Sequence, residues 1–213
     1  MVNQVNQKEY LLNVIEGGVL LELPIYDGGG EVVGMMRPVT KIQPQSEEVI
    51  AKITAWRNKY KKFFLTEFNA TTFRTKKWLE NEVLSEPTRL LFLIYSQETI
   101  IGHYGFKDLV EESVLLDNAV RGERGGHPML MMFAAQALIT WLFDVMQVNE
   151  VYGYTFANNP MGLRFNRDLG FTFTEKIPLL KQVEGEEVKW VIGKPGESSP
   201  DNHYYQKLVM YRD

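Results

Sequence analysis

The sequence predicts an α/β fold in which helices flank a mixed central sheet, and three observations carry that prediction. Apolar residues recur at three- and four-residue steps in some segments and alternate or run together in short, turn-bounded segments in others. A nearly all-apolar stretch, Pro128–Phe143, is entered through a glycine-rich turn from a strand-like segment. No internal repeat occurs, and the only loop-like run rich in glycine, serine and proline is Lys194–Asn202, so one domain is expected over residues 1–213.

Val19–Ile25 and Val32–Met36 flank the turn YDGGGE and predict a hairpin at a sheet edge, within about residues 17–40. Ser46 then opens a helix in which Val49, Ile50, Ile53 and Trp56 form the apolar stripe, ending near Tyr60. A second helix runs from about Thr72 through Trp78, Leu79 and Val83 and stops before Pro87, because the residue preceding a proline is pushed away from helical dihedrals. Arg89–Tyr95, Ile100–Phe106 and Ser113–Val120 read as a three-strand meander. A long helix to about Val148, strand Glu150–Phe156 and a short helix around Gly162–Leu169, ended by Gly170, follow. Strands Phe171–Lys181, Val188–Ile192 and Tyr204–Tyr211 complete the chain.

Apolar residues at 45% and charged residues at 23% are ordinary globular values. With no cysteine, disulfides, thiolate zinc sites and cysteine nucleophiles are excluded, and three scattered histidines suggest no metal centre. A formal charge of −4 offers no general attraction for nucleic acid. The opening MVNQVNQKEY lacks a basic and then apolar signal pattern, so a cytoplasmic protein is expected. Pro128–Phe143 is shorter than the roughly 18 residues that span a bilayer and contains Gln136 and Thr140, so no membrane contact is expected. Composition leaves the oligomeric state open, a homodimer included.

Arg121-Gly-Glu-Arg-Gly-Gly-His-Pro128 joins a strand end to the long helix. A helix start presents unpaired N–H groups, and glycines let backbone approach phosphate oxygens closely. Arg121 and Arg124 can add charge-assisted bonds, with Gly122, Gly125, Gly126 and His127 as loop contacts. A tight connection without a ligand is the other reading of such a turn. Further on, Asn159-Pro-Met-Gly-Leu-Arg-Phe-Asn-Arg-Asp-Leu-Gly-Phe171 resembles the signature N-x-x-A-x-x-L-Y-x-x-x-G-F of the GNAT superfamily of N-acyltransferases, with Asn159, Phe165, Gly170 and Phe171 at matching positions. The glycine-rich turn resembles that family's R/Q-x-x-G-x-G/A motif, with Arg121 and Gly126 in register.

The resemblance covers about Ser46 onward and implies a GNAT fold with a V-shaped splay between the two middle strands, a CoA-binding core at about residues 89–172 and C-terminal strands at about 171–213. It implies acyl-CoA as co-substrate, held by the loop together with Asn118, Val120, Asn159 and Phe165. Two departures stand out. Arg124 replaces the motif's first glycine, with Gly125 beside it to absorb the required geometry, and Asn166 replaces the tyrosine that family members use to protonate the leaving thiolate.

Direct acyl transfer needs a neutral amine, a route for its proton and donors facing the developing oxyanion. Backbone N–H groups near Asn118 and Val120 are the implied donors. Asp117, set in an otherwise apolar run, is the first candidate base, although an acid there also suits turn capping or pairing with an arginine. His103 could titrate near neutral pH or be a satisfied buried histidine. Glu67 borders the implied acceptor side, and the Asn166 amide could face sulfur. His203 receives no role.

The acceptor-side helices, about residues 46–85, resemble those of GNAT enzymes acting on nucleotide-linked amino sugars, in W-R-N and in the spaced threonine and tryptophan. Lys59, Lys61, Lys62, Arg74, Lys76 and Lys77 alternate with Tyr60, Phe63, Phe64 and Trp78, which suits a pyrophosphate and a stacked base or, equally, a solvated face over core aromatics. Phe64, Arg74, Lys77, Trp78 and Tyr104 are the expected substrate contacts. Three readings follow: an acyltransferase for a nucleotide-linked amino sugar, one for a protein or peptide amine, and a non-catalytic acyl-CoA-binding module.

Overall fold

The computed structural model of the chain describes residues 6–42, 46–194 and 196–212; the residues read above at 1–5 and at 195 lie outside the described residues. Helix α1, Gln7–Glu16, was not anticipated. Its signals are short: Asn6 accepts the Glu9 N–H, Leu11, Val14 and Ile15 are buried, and Gly17 closes it at φ 81°. The polar residues that surround this stripe hid it.

The expected hairpin is β1, Leu23–Tyr26, with β2, Val32–Pro38. Its turn is organised by Asp27 Oδ1, which accepts the N–H groups of Gly29 and Glu31 at 2.8 and 2.9 Å. Helix α2, Glu47–Lys59, starts where Ser46 Oγ accepts the Val49 N–H at 3.3 Å. A two-residue strand, β3, Thr66–Glu67, precedes α3, Thr72–Trp78, which runs on into a π-helical turn at Leu79–Val83.

The meander is β4, Leu90–Ser96, β5, Thr99–Val110, and β6, Ser113–Arg121. Helix α4 covers Leu130–Asp144, shorter at both ends than expected, because Pro128 and Met129 form a turn ahead of it. Strand β7, Glu150–Phe156, and helix α5, Pro160–Asp168, match the reading, with Gly170 at φ 95° ending the helix. The last strands are β8, Thr172–Glu184, β9, Glu187–Ile192, and β10, Tyr204–Tyr211.

The sheet order is β1-β2-β4-β5-β6-β7-β10-β8-β9-β3. The last strand in sequence thus lies between β7 and β8. Strand β8 divides its partners: Thr172–Pro178 runs beside β10, and Leu179–Glu184 beside β9, which carries β3 on its other edge. Both faces of the central strands are covered, which is why Leu90–Ile94 is continuously apolar. Leu90, Phe92 and Ile94 join the core under α4 and α1, while Leu91 and Leu93 join a second core with Val49, Ile53 and Trp56 of α2.

The one parallel pair among these strands positions the site. Strands β6 and β7 pair only at Ser113–Leu115 with Glu150–Tyr152; from Leu116 and Gly153 onward they share no register and the sheet opens as expected.

Candidate active site

The opening has a local cause. Across β5 and β6, His103 faces Val120 and Gly105 faces Asp117, so Asn118 and Ala119 together oppose Tyr104: a β-bulge, with Asn118 at φ 58°. A bulge leaves backbone groups unpaired and bends its strand, which turns β6 away from β7. His103 holds it in place, its Nδ1 lying 2.7 Å from the Asn118 carbonyl. A carbonyl only accepts, so Nδ1 carries the proton. His103 is 3% exposed, and burial pushes its pKa down to about 4, against smaller opposing effects of the Asn118 bond and Asp117. Of the two readings of His103, its burial and its bond to Asn118 favour the satisfied buried histidine over one that titrates near neutral pH, and its ring packs 5.9 Å from Trp56.

The bulge leads into the loop. The Arg121 guanidinium does not project outward; it donates to the carbonyls of Gly125 at 2.7 Å and Pro128 at 3.0 Å, with that of His127 at 3.4 Å. Turning these carbonyls toward one cation leaves the N–H groups of Arg124, Gly125, Gly126 and His127 without a protein acceptor among the described residues. Gly125 and Gly126 take φ 121° and 65°, whereas Arg124 does not enter the left-handed region, so Gly125 absorbs the geometry displaced by that substitution. Gly122 lies against Trp56, where a Cβ would come within 2.0 Å of the ring. His127 braces the turn ahead of the helix: its Nδ1 accepts the Met129 N–H at 3.1 Å.

Asp117 sits at the bulge, half-buried, with Lys107 Nζ 3.3 Å away and the Asn118 amide donating to it at 2.8 Å. It shares a crevice of about 10 Å³ with Trp78 and Val83. On α5, Asn159 is the helix cap, accepting the Gly162 N–H at 3.1 Å, and Phe165 packs against the main core. The Asn166 amide donates to the Gly162 carbonyl of its own helix at 2.8 Å, so one of its two N–H groups is not aimed at the opening.

Three consecutive α2 residues tie the acceptor-side helices to this frame. Trp56 Nε1 donates to Glu123 of the loop at 2.9 Å, Arg57 Nη2 donates to the Thr66 carbonyl, and Asn58 exchanges two hydrogen bonds with the Ala70 backbone, at 2.7 and 3.0 Å. Phe64 lies under the Arg57 guanidinium. Arg74 pairs with Glu187 at 2.6 Å. Glu67 accepts from Trp190 Nε1 at 3.0 Å.

Two expected substrate contacts have other partners in this structure. Tyr104 is 3% exposed and built into the main core, and its buried hydroxyl has its pKa raised. Lys77 lies two residues from both Thr75 and Leu79, the buried positions of its helix, so it points to solvent and pairs with Glu80 at 3.5 Å.

A row of aromatic residues was missed. Tyr154 stacks on Tyr205 at 5.6 Å, Phe156 packs on Tyr205 and on His203, and His203 lies 4.1 Å from Trp190. Burial raises the Tyr205 pKa, and the charge of Asp117 adds to it. Burial lowers the His203 pKa, and its Nε2 is buried without a partner among the described residues. The alternation of Tyr152, Tyr154 and Phe156 on β7 was the available signal; His203 had none.

No family model matches the sequence, and no curated protein sequence is similar to it. Solved structures are similar in fold. An acetyltransferase from Salmonella typhimurium that modifies the N-terminal serine of ribosomal protein L7/L12 is 14% identical over 91% of this chain and 100% of its own, with a TM-score of 0.58. Spermidine N-acetyltransferase from Vibrio cholerae, in complex with CoA and spermine, is 12% identical over 84% and 95%, with a TM-score of 0.61. Campylobacter jejuni N-acetyltransferase PseH is 15% identical over 85% and 99%, with a TM-score of 0.52. The chain has the fold of the GNAT acetyltransferases.

Proposed function

We propose that the chain is an acyl-CoA-dependent N-acyltransferase. The observation that carries this is the opening of β6 from β7 after Leu115 and Tyr152, which leads to a loop whose N–H groups face away from the carbonyls gathered by Arg121. Such a cradle suits the pyrophosphate of an acyl-CoA, and unpaired strand edges suit the amides of its pantetheine arm. Solved neighbours of the same fold carry CoA, which favours the same co-substrate here.

In this reading the amine attacks the thioester carbonyl, a C–N bond forms, the C–S bond breaks and the ammonium proton is lost. Bulge N–H groups near Asn118 and Val120 stabilise the oxyanion. Asp117 is the proton acceptor, because it is the carboxylate at the bulge and lines the crevice bordered by Trp78. Lys107 is its ion-pair partner, and His103 acts by holding the bulge. The thiol, with an ordinary pKa of about 8.5, departs as the anion.

The acceptor is a small-molecule amine, in finer detail the amino group of a nucleotide-linked amino sugar; the aromatic row and the arginines of the acceptor side support it. A protein or peptide amine is the second reading, favoured by the breadth of the likeness to the L7/L12-modifying enzyme. Calorimetric titration with acetyl-CoA, followed by thiol release from an acyl-CoA panel against nucleotide-linked amino sugars, polyamines and an N-terminal serine peptide, tests both. Binding without turnover on any amine would leave the binding-module reading. Absence of binding, or the same affinity in Arg121→Ala as in the wild type, would refute the proposal for the loop.

A further inference from the structure

Arg57 was not among the expected site residues, and its surroundings do not account for it. Its guanidinium carbon lies 3.8 Å from the centre of the Phe64 ring and 4.7 Å from that of Phe68. The guanidinium of Arg74 lies over the same Phe68 ring, at 3.9 Å. Two cations therefore share one aromatic ring. Nη2 of Arg57 donates to the Thr66 carbonyl, but Nη1 is buried and meets no acceptor among the described residues.

A buried guanidinium N–H without an acceptor is costly, and a second guanidinium beside it adds repulsion. Burial first and the charge of Arg74 second lower the Arg57 pKa to about 10, against the pull of Glu67. The neighbouring carboxylates leave the arrangement open: Glu67 Oε1 accepts from Trp190, and Glu187 reaches only Arg74 among the described residues, in a pair whose side chains are 46% and 38% exposed. An exposed pair of that kind exchanges readily for a better anion.

We infer that Arg57 and Arg74, seated on Phe64 and Phe68, form a phosphoryl-binding subsite beside the opening, and that the acceptor amine carries a phosphate ester or diphosphate. Two planar forks over one ring offer more donors than one carboxylate can use and match an oxyanion with three oxygens and up to two charges. The lysines of this region are not the anchor: Lys76 and Lys77 pair with Glu80 at 3.9 and 3.5 Å, and Lys61 donates to Asn69 at 2.9 Å. The inference rests on the acyltransferase reading only in calling this the acceptor side; the anion site itself stands on Arg57 and its surroundings.

The test is calorimetric titration of the full chain with inorganic pyrophosphate in the presence of saturating CoA, which keeps the probe off the glycine-rich loop. Wild type is expected to bind, Arg57→Gln and Arg74→Gln at least tenfold more weakly, and Arg57→Lys in between, while acyl-CoA affinity is unchanged in all three. With turnover established, the preference for a phosphorylated amine over the same amine without phosphate falls by the same factor in Arg57→Gln. Equal pyrophosphate affinity in wild type and the two glutamine variants overturns the inference, as does equal affinity for malonate. Should Arg57→Gln not fold, Arg74→Gln and Arg57→Lys decide. If the chain binds no CoA, the acyltransferase reading fails, and the titration without CoA still decides for or against the subsite.

Discussion

Replacing Gly122 by alanine tests how the loop is held. A Cβ there would stand 2.0, 2.1 and 2.3 Å from Cε2, Cδ2 and Nε1 of Trp56, more than 1 Å inside van der Waals contact. The ring cannot easily yield: Trp56 is 3% exposed, belongs to the second core, packs on His103 and donates to Glu123 of the same loop. Overpacking of this kind costs about 1–3 kcal/mol, which for a chain of this size lowers the melting temperature by about 2–12 °C. The Glu123 bond is strained with it, so the loop shifts relative to the bulge and acyl-CoA affinity falls by about tenfold or more. The assay is a thermal melt and an acyl-CoA titration of Gly122→Ala, Trp56→Leu and the double variant. Because removing the ring relieves the clash, the double variant should be less impaired than the sum of the singles. Strict additivity, or wild-type melting and affinity in Gly122→Ala, would refute the reasoning.

His103 provides a pH test. Its pKa falls from 6.5 to about 4 on folding, so the unfolded chain takes up a proton between those values that the folded chain does not; this contribution is fully present above pH 6.5 and is lost as pH falls toward 4, by about 3 kcal/mol in all. Urea denaturation at pH 7 and pH 4.5 should show most of that loss in wild type and a smaller one in His103→Gln; equal losses would remove the assignment. Asp117→Asn should lower kcat by about 10²-fold or more and abolish the acidic limb of the pH–rate profile, and a wild-type profile would exclude it as the base. Asn166→Tyr should leave the rate unchanged or raise it in a thiol-release assay, whereas a collapse would show that the asparagine is needed as it stands.

The central elements were legible because their signals are local. Strand β7, Glu150–Phe156, and strand β10, Tyr204–Tyr211, are bounded by turns and patterned at the strand period, and Ser46 announces the start of α2 by its type alone. Helix α1 was missed although Asn6, the Leu11–Ile15 stripe and Gly17 mark it, because the stripe is brief and set in polar residues. Strand β3, two residues long, has no signal of its own and exists because β9 lies beside it.

By itself, the sequence determined the alternation of helices and strands, the glycines where the loop turns, and the helix that begins behind them, since each depends on dihedral preference and apolar period within a few residues. Tertiary structure alone decided the rest. It inserted β10 between β7 and β8, made His103 a neutral prop for the Asn118 carbonyl, turned Arg121 inward and set Arg57 beside Arg74 over one ring. Those outcomes depend on burial and on partners many residues away, and a side chain's charge state and hydrogen bonds are set by the groups that fold against it.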